Sequence, residues 1–331
     1  MRLLAAAGTA LVVVLAACGS DEPDPEPVQE EQPVGFTNPV FDEDFPDPAV
    51  IEADGGYYAY ATNSPLGNVP ALTSSDLVSW EPAGDAMPVL APWVTGGRTW
   101  APEIAVHAPD RYVLYYTALG TASGRQCVGR AVATSPAGPF VDDSAEPLIC
   151  QAGDGGSIDA SPFTDADGTR YLLWKNDGNA VGVDTWIYAQ PLSEDGLSLV
   201  GSPVQLMKQD QPWEGDLVEA PFLWLRDGTY YLFYSANAYD SADYAVGYAV
   251  CDGPLGPCRK PADAPILVSS DDAAGPGHCV LIEKDGRTWM VHHAWPPDAV
   301  GSVLPGRTMW LTEVTWEDGV PVLDGPRASV D

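Results

Sequence analysis

Five times along this chain a polar turn opens a run of aromatic and β-branched residues, and the copies are almost evenly spaced. They read Asp54-Gly55-Gly56-Tyr57-Tyr58, Asp110-Arg111-Tyr112-Val113-Leu114, Asp167-Gly168-Thr169-Arg170-Tyr171, Asp227-Gly228-Thr229-Tyr230-Tyr231 and Asp285-Gly286-Arg287-Thr288-Trp289. Their aspartates lie 56, 57, 60 and 58 residues apart. A strand-rich unit at that period cannot bury both faces alone and must stack on its neighbours, which is how a propeller blade behaves. Upstream of each turn sits a titratable residue. Asp47, Glu103 and His278 precede their turns by seven residues, Asp159 and Glu219 by eight. Matched positions in a radial repeat face a common axis, so these groups are expected to converge.

The expected fold is therefore all-β, a five-bladed β-propeller over residues 36–331, with inner strands starting near Asp47, Glu103, Asp159, Glu219 and His278. A chain of 331 residues holds one such domain without requiring a second. Second strands such as Tyr230-Tyr231-Leu232-Phe233-Tyr234 lack polar alternation, so both of their faces are expected to be covered by adjacent blades. Ser74 to Trp80 and Ala133 to Phe140 read as outer-strand turns of the first two repeats.

A net charge of −32 argues against nucleic acid or an anionic membrane surface as partner, since both need clustered Lys and Arg. Residues 1–17 read as a signal peptide, with Arg2 ahead of a short apolar stretch. It ends Leu15-Ala16-Ala17-Cys18, which resembles a bacterial lipobox and implies cleavage before Cys18 and lipidation of its sulfur. Residues 18–35 follow as an acidic, Pro-rich tether with nothing to bury. The expected location is outside the cell membrane, held there by the lipid alone, as a monomer. Export makes disulfides plausible: Cys251 and Cys258 flank a turn-rich loop, Cys127 and Cys150 form another candidate pair, and the pairing with Cys279 stays open.

Singly, the acids say little. Asp47 in Phe45-Pro46-Asp47-Pro48 reads as a turn residue, and Asp159 as a strand-start cap. Glu219, inside an apolar strand entry, has to be paired or functional, because an unpaired buried carboxylate is costly. Together, at matched offsets, they read as a catalytic set.

The motifs Pro46-Asp47-Pro48, Trp100-Ala101-Pro102-Glu103, Ile158-Asp159-Ala160-Ser161, Glu219-Ala220-Pro221, Gly277-His278 and Gly306-Arg307 resemble glycoside hydrolase family 43, in order, from about Asn38 to Leu323. The resemblance implies an inverting enzyme on arabinose- and xylose-containing polysaccharides. It makes Asp47 the general base, Glu219 the general acid, and Asp159 the group that orients Glu219 and raises its pKa. Phe45, Trp100 and Arg307 are implied at the sugar site, although Trp100 serves equally well as a structural residue between blades. His278 is implied near the active-site water or a structural cation such as calcium, with a hydrogen-bonded core histidine as the alternative; no other cofactor is required. Inversion needs the acid and base about 6.5–9.5 Å apart, with water between the base and the anomeric carbon.

The Lys175-Asn176-Asp177-Gly178-Asn179 loop and the Trp213-Glu214-Gly215 turn resemble members that release arabinose from arabinan or arabinoxylan. β-Xylosidase and endo-arabinanase activities remain alternatives. A non-catalytic sugar-binding lipoprotein would not need all three carboxylates. The retaining fructan hydrolases carry Arg-Asp-Pro where this chain has Ile158-Asp159-Ala160.

Overall fold

The computed structural model describes residues 35–330. The signal segment, Cys18 and the tether up to residue 34 lie outside the described residues. A short strand β1 (Phe36–Thr37) leads into the first blade, made of β2 (Ala49–Ala53), β3 (Gly56–Tyr60), β4 (Pro70–Ser74) and β5 (Glu81–Asp85). The second blade holds β6 (Val94–Ala108), β7 (Arg111–Gly120) and β8 (Gln126–Ala133), with Val141 bridging to Val132 at its outer edge. The third holds β9 (Ser157–Thr164), β10 (Arg170–Asn176), β11 (Trp186–Pro191) and β12 (Val204–Lys208). The fourth holds β13 (Val218–Arg226), β14 (Thr229–Ala236), β15 (Ala245–Cys251) and β16 (Cys258–Arg259). The fifth holds β17 (Ala274–Lys284), β18 (Arg287–Trp295), β19 (Thr308–Glu317) and β20 (Val320–Leu323), and a last strand, β21 (Ser329–Val330), returns to pair with β1. The protein is a five-bladed propeller.

Local chemistry explains the meander. Asp54-Gly55, Asp227-Gly228 and Asp285-Gly286 each place both residues at positive φ, the geometry a tight two-residue hairpin needs to match strand twist. Between blades the second strands feed two cores at once. Leu172 and Trp174 pack toward the second blade, while Leu173, between them in β10, packs toward the fourth. Likewise Leu232 and Tyr234 face the third blade and Tyr231 and Phe233 the fifth. Continuous apolar runs follow, because neither face sees water. The ring closes where the N-terminal segment straps onto the fifth blade: the Asn38 side chain donates to the Leu311 and Arg327 carbonyls at 2.9 Å and accepts from the Leu311 amide at 2.9 Å.

A second repeat, absent from the hydrophobic pattern, sets the axis. Asp47, Ala101, Asp159, Ala220 and His278 all adopt left-handed φ, between 43° and 56°. In four blades the residue belongs to a bulge where two inner-strand residues oppose one on the second strand; Trp100 pairs with Thr117 and Glu103 with Tyr115, leaving Ala101 and Pro102 against Tyr116. In the first blade, Asp47 sits just ahead of β2, where the Thr62 amide donates to the Pro46 carbonyl. Each such residue costs about 1–2 kcal/mol unless something holds it.

What holds it is a ring of bonds between blades. The Ala101 amide donates to Thr62 Oγ1 at 2.8 Å, Asp159 to Thr117 Oγ1 at 3.2 Å, and Ala220 to Asp159 Oδ2 at 2.9 Å. His278 donates to Ser235 Oγ at 2.8 Å, and Asp47 closes the circle on His293 Nδ1 at 3.2 Å. Thr117 is fully buried. Thr117→Val should therefore strand the Asp159 amide and destabilise the fold by about 1–3 kcal/mol. An unchanged urea midpoint and slope would show that the ring bond contributes nothing.

Candidate active site

The ring delivers its side chains to one place. Asp47, nearly buried, accepts from Thr62 Oγ1 at 2.6 Å through Oδ2 and from Arg307 Nη1 at 2.6 Å through Oδ1. His278 Nδ1 lies 3.5 Å from Oδ1 and His293 Nδ1 3.3 Å. Burial pushes the Asp47 carboxyl upward, but Arg307 first and His278 after it outweigh burial and hold the group well below the usual carboxylate range. Burial, with Arg307 beside it, lowers His293 to about 3, so its imidazole is neutral near pH 7. Its Nδ1 then accepts the Asp47 amide, the proton sits on Nε2, and the approach to Oδ1 is not an ion pair. The Arg307 guanidinium is itself layered over Tyr239 at 4.7 Å and Trp295 at 6.0 Å.

Glu219 and Asp159 form the second group. Tyr244 donates to Glu219 Oε1 at 2.7 Å, and Lys175 Nζ to Oε2 at 3.2 Å. Tyr244 stacks parallel to His293 at 5.6 Å and stays neutral, its phenol raised by burial and by Glu219, Asp47 and Asp159. A Cβ on Gly277 would come within 2.1 Å of the Tyr244 ring, so only glycine fits there. Burial first, and the Glu219 charge second, raise the Asp159 carboxyl to about 6.

The other expected positions divide. Arg307 and His278 join the site. Trp100 is half-buried, one residue before the bulge at Ala101, the place that Glu219 holds before Ala220. Phe45 needs correction: it is fully buried, edge-on to Phe41 in the core between the first and fifth blades, and offers no face to a sugar. Glu103 needs a second. The bulge position of its blade is Ala101, and Glu103 lies two residues further along β6, buried, with no charge offsetting its desolvation. Trp213 and Glu214 belong to a 3-10 turn locked from within, where Glu214 takes Tyr234, Lys260 and two backbone amides.

Among the described residues no group of three or more His, Cys, Asp and Glu side chains is arranged to hold a metal ion. Cys127–Cys150 and Cys251–Cys258 are disulfides, and Cys279 is a buried free thiol. Lys175, Tyr244 and His293 were missed by sequence reasoning. A signal existed: Thr62, Thr117, Lys175, Ser235 and His293 each follow the turn aspartate of their repeat by seven or eight residues.

A carboxylate held by arginine, together with a second carboxyl pair brought to the same place, suits the two-carboxyl chemistry of a glycosidase. Residues 36–321 match the profile of the family described as Glycosyl hydrolases family 43, and the chain belongs to that family. A solved structure of a thermostable family-43 glycoside hydrolase superposes with a TM-score of 0.81 at 33% identity, covering 89% of this chain and 98% of that one. The Beta-D-galactofuranosidase xynD of Aspergillus niger is 28% identical over 274 residues, 77% of this chain and 75% of that protein. The Arabinoxylan arabinofuranohydrolase of Bacillus subtilis is 28% identical over 275 residues, 68% of this chain but 50% of that protein. The chain thus spans only half the length of the Bacillus relative.

Glu103 yields a test of burial at the axis. Its carboxyl is raised from the ordinary 4.5 to about 8, so the folded protein keeps a proton that the unfolded chain releases. Stability contributed by this group is fullest below pH 4.5 and is lost as pH climbs toward about 8. Glu103→Gln should match the parent at pH 4 and exceed it by on the order of 3 kcal/mol at pH 9. Parallel unfolding curves for the two proteins across that range would place Glu103 in water.

Proposed function

We propose that the protein is an inverting α-L-arabinofuranosidase that releases arabinose from arabinan, arabinoxylan or their oligosaccharides. The observation carrying this reading is the division of labour among the carboxyls. Asp47, kept ionised by Arg307, suits a general base that draws a proton from the attacking water. Glu219, beside a raised Asp159, suits the acid that protonates the departing oxygen. Asp159 positions that acid as well, because its Oδ2 holds the Ala220 amide one residue away. The arabinose preference is supported by the Bacillus relative's name and by the Lys175–Asn179 loop beside Glu219. The Aspergillus relative favours a second reading, a β-D-galactofuranoside, another five-membered ring. Aryl α-L-arabinofuranoside, β-D-galactofuranoside and β-D-xyloside, with linear arabinan, form the deciding panel.

Mutants separate the roles. Asp47→Ala should abolish turnover of every substrate. Glu219→Ala should be severe on natural linkages, by about 100-fold or more, and milder on nitrophenyl glycosides, whose leaving group needs little protonation. Asp159→Asn should move the basic limb of the pH profile down, since losing a neighbouring negative charge lets the acid ionise earlier. Retained anomeric configuration in the first product, read by proton NMR, would sink the inverting mechanism.

The same reading has the enzyme exported and anchored through Cys18, with the acidic segment after it as a spacer. Cys18→Ala should shift the protein from the membrane fraction to the medium or the soluble fraction; continued membrane retention would point to another anchor.

A further inference from the structure

Four of the five blades place a neutral hydrogen-bond acceptor at one matched position on or just past the second strand: Thr62, Thr117, Ser235 and His293. Each takes the bulge amide of the next blade. The third blade has Lys175 there, and an ammonium has no lone pair to accept with. The bond is rerouted: Asp159 Oδ2 takes the Ala220 amide instead. Lys175, wholly buried, turns to Glu219 Oε2 at 3.2 Å and Asn179 Oδ1 at 2.8 Å. Burying an ammonium is costly, and a threonine would complete the ring without that cost. The substitution therefore serves the carboxylate it reaches.

We propose that Lys175 is a positioning residue for the acid step, holding the Glu219 carboxylate that forms when the glycosidic bond breaks. The inference rests on Glu219 being the general acid. As the anomeric C–O bond breaks, its electron pair goes to the leaving oxygen, which takes the Glu219 proton. Water attacks the anomeric carbon and gives its proton to Asp47. In the reacting complex Glu219 starts protonated and negative charge develops on it as the bond is cut, beside a fixed ammonium and the Tyr244 hydroxyl, so this stabilisation is larger in the transition state than in that protonated ground state. The groups facing Glu219 from the surrounding elements are Lys175 on β10, Asp177 just beyond it, Asp159 on β9, Tyr244 before β15, and further off Asp47 and His278. Asp159 and Asp177 oppose the new charge and Lys175 favours it.

The test compares leaving groups and pH. Lys175→Met should lose at least about tenfold more turnover on an unactivated arabino-oligosaccharide than on a dinitrophenyl arabinofuranoside, whose departure needs no proton. Its basic limb should move up by about one pH unit, because the charge favouring ionised Glu219 is gone. Asn179 is exposed, so Asn179→Asp leaves the core untouched while setting a carboxylate against the ammonium. It should move the limb in the same direction, which keeps the proposal testable where Lys175→Met fails to fold. Equal losses on both substrates with the limb unmoved, or an unmoved limb in Asn179→Asp, would overturn the role of Lys175. An unmutated protein inactive on every furanoside and xyloside would overturn the functional reading instead.

Discussion

Everything at the centre of this molecule depends on five backbone amides that point across blade boundaries. Each belongs to a residue forced into the left-handed region, and each is satisfied by the blade before it. The strained residue and the inter-blade bond are one device: the bulge turns the amide outward, and the bond offsets the strain. It also directs the side chain of the bulge residue toward the axis. Asp, Asp and His occupy three of the positions, residue types that tolerate positive φ better than branched or bulky ones. Chemistry and conformation thus select the same residues.

Repetition alone would make a symmetric hole, and a symmetric hole cannot separate an acid from a base. Asymmetry enters through substitutions within the ring. His293 in place of a hydroxyl puts a neutral imidazole against Asp47, with Arg307 arriving from the loop before β19 to fix its charge. Lys175 in place of a hydroxyl puts a cation against Glu219 and frees Asp159 to take over the ring bond. One carboxylate is thereby held charged, while another, Asp159, is raised by burial and then by the Glu219 charge beside it.

The fold was legible because its two signals are local. Asp-Gly turns announce hairpins, and apolar runs without alternation announce strands covered on both sides. The carboxylates were legible because a repeat carries offsets. Glu103 failed because an offset counted from a turn ignores the bulge. In the second blade a count of seven lands on Glu103, but the residue at the bent position is Ala101, and the carboxyl lies two residues along a strand that is longer there than in any other blade. Phe45 failed differently. The resemblance implied contact with substrate, whereas Phe45, two residues before the bend at Asp47, is buried in the interface with the fifth blade.

Lys175 is visible in the sequence only as the start of a loop, and Tyr244 only as the start of a strand. Lys175 closes an apolar strand, where a lysine reads as a strand end meeting solvent. Only the column it shares with Thr62, Thr117, Ser235 and His293 shows that the position points inward, and only the structure shows that its amide partner has gone elsewhere. Tyr244 had no column at all. Its place is set by Gly277, whose missing side chain is the space the phenol occupies on its way to Glu219. A glycine next to His278 in the sequence thus makes room for the phenol that reaches the Glu219 carboxyl of another blade. Only the packing of the two blades makes that connection.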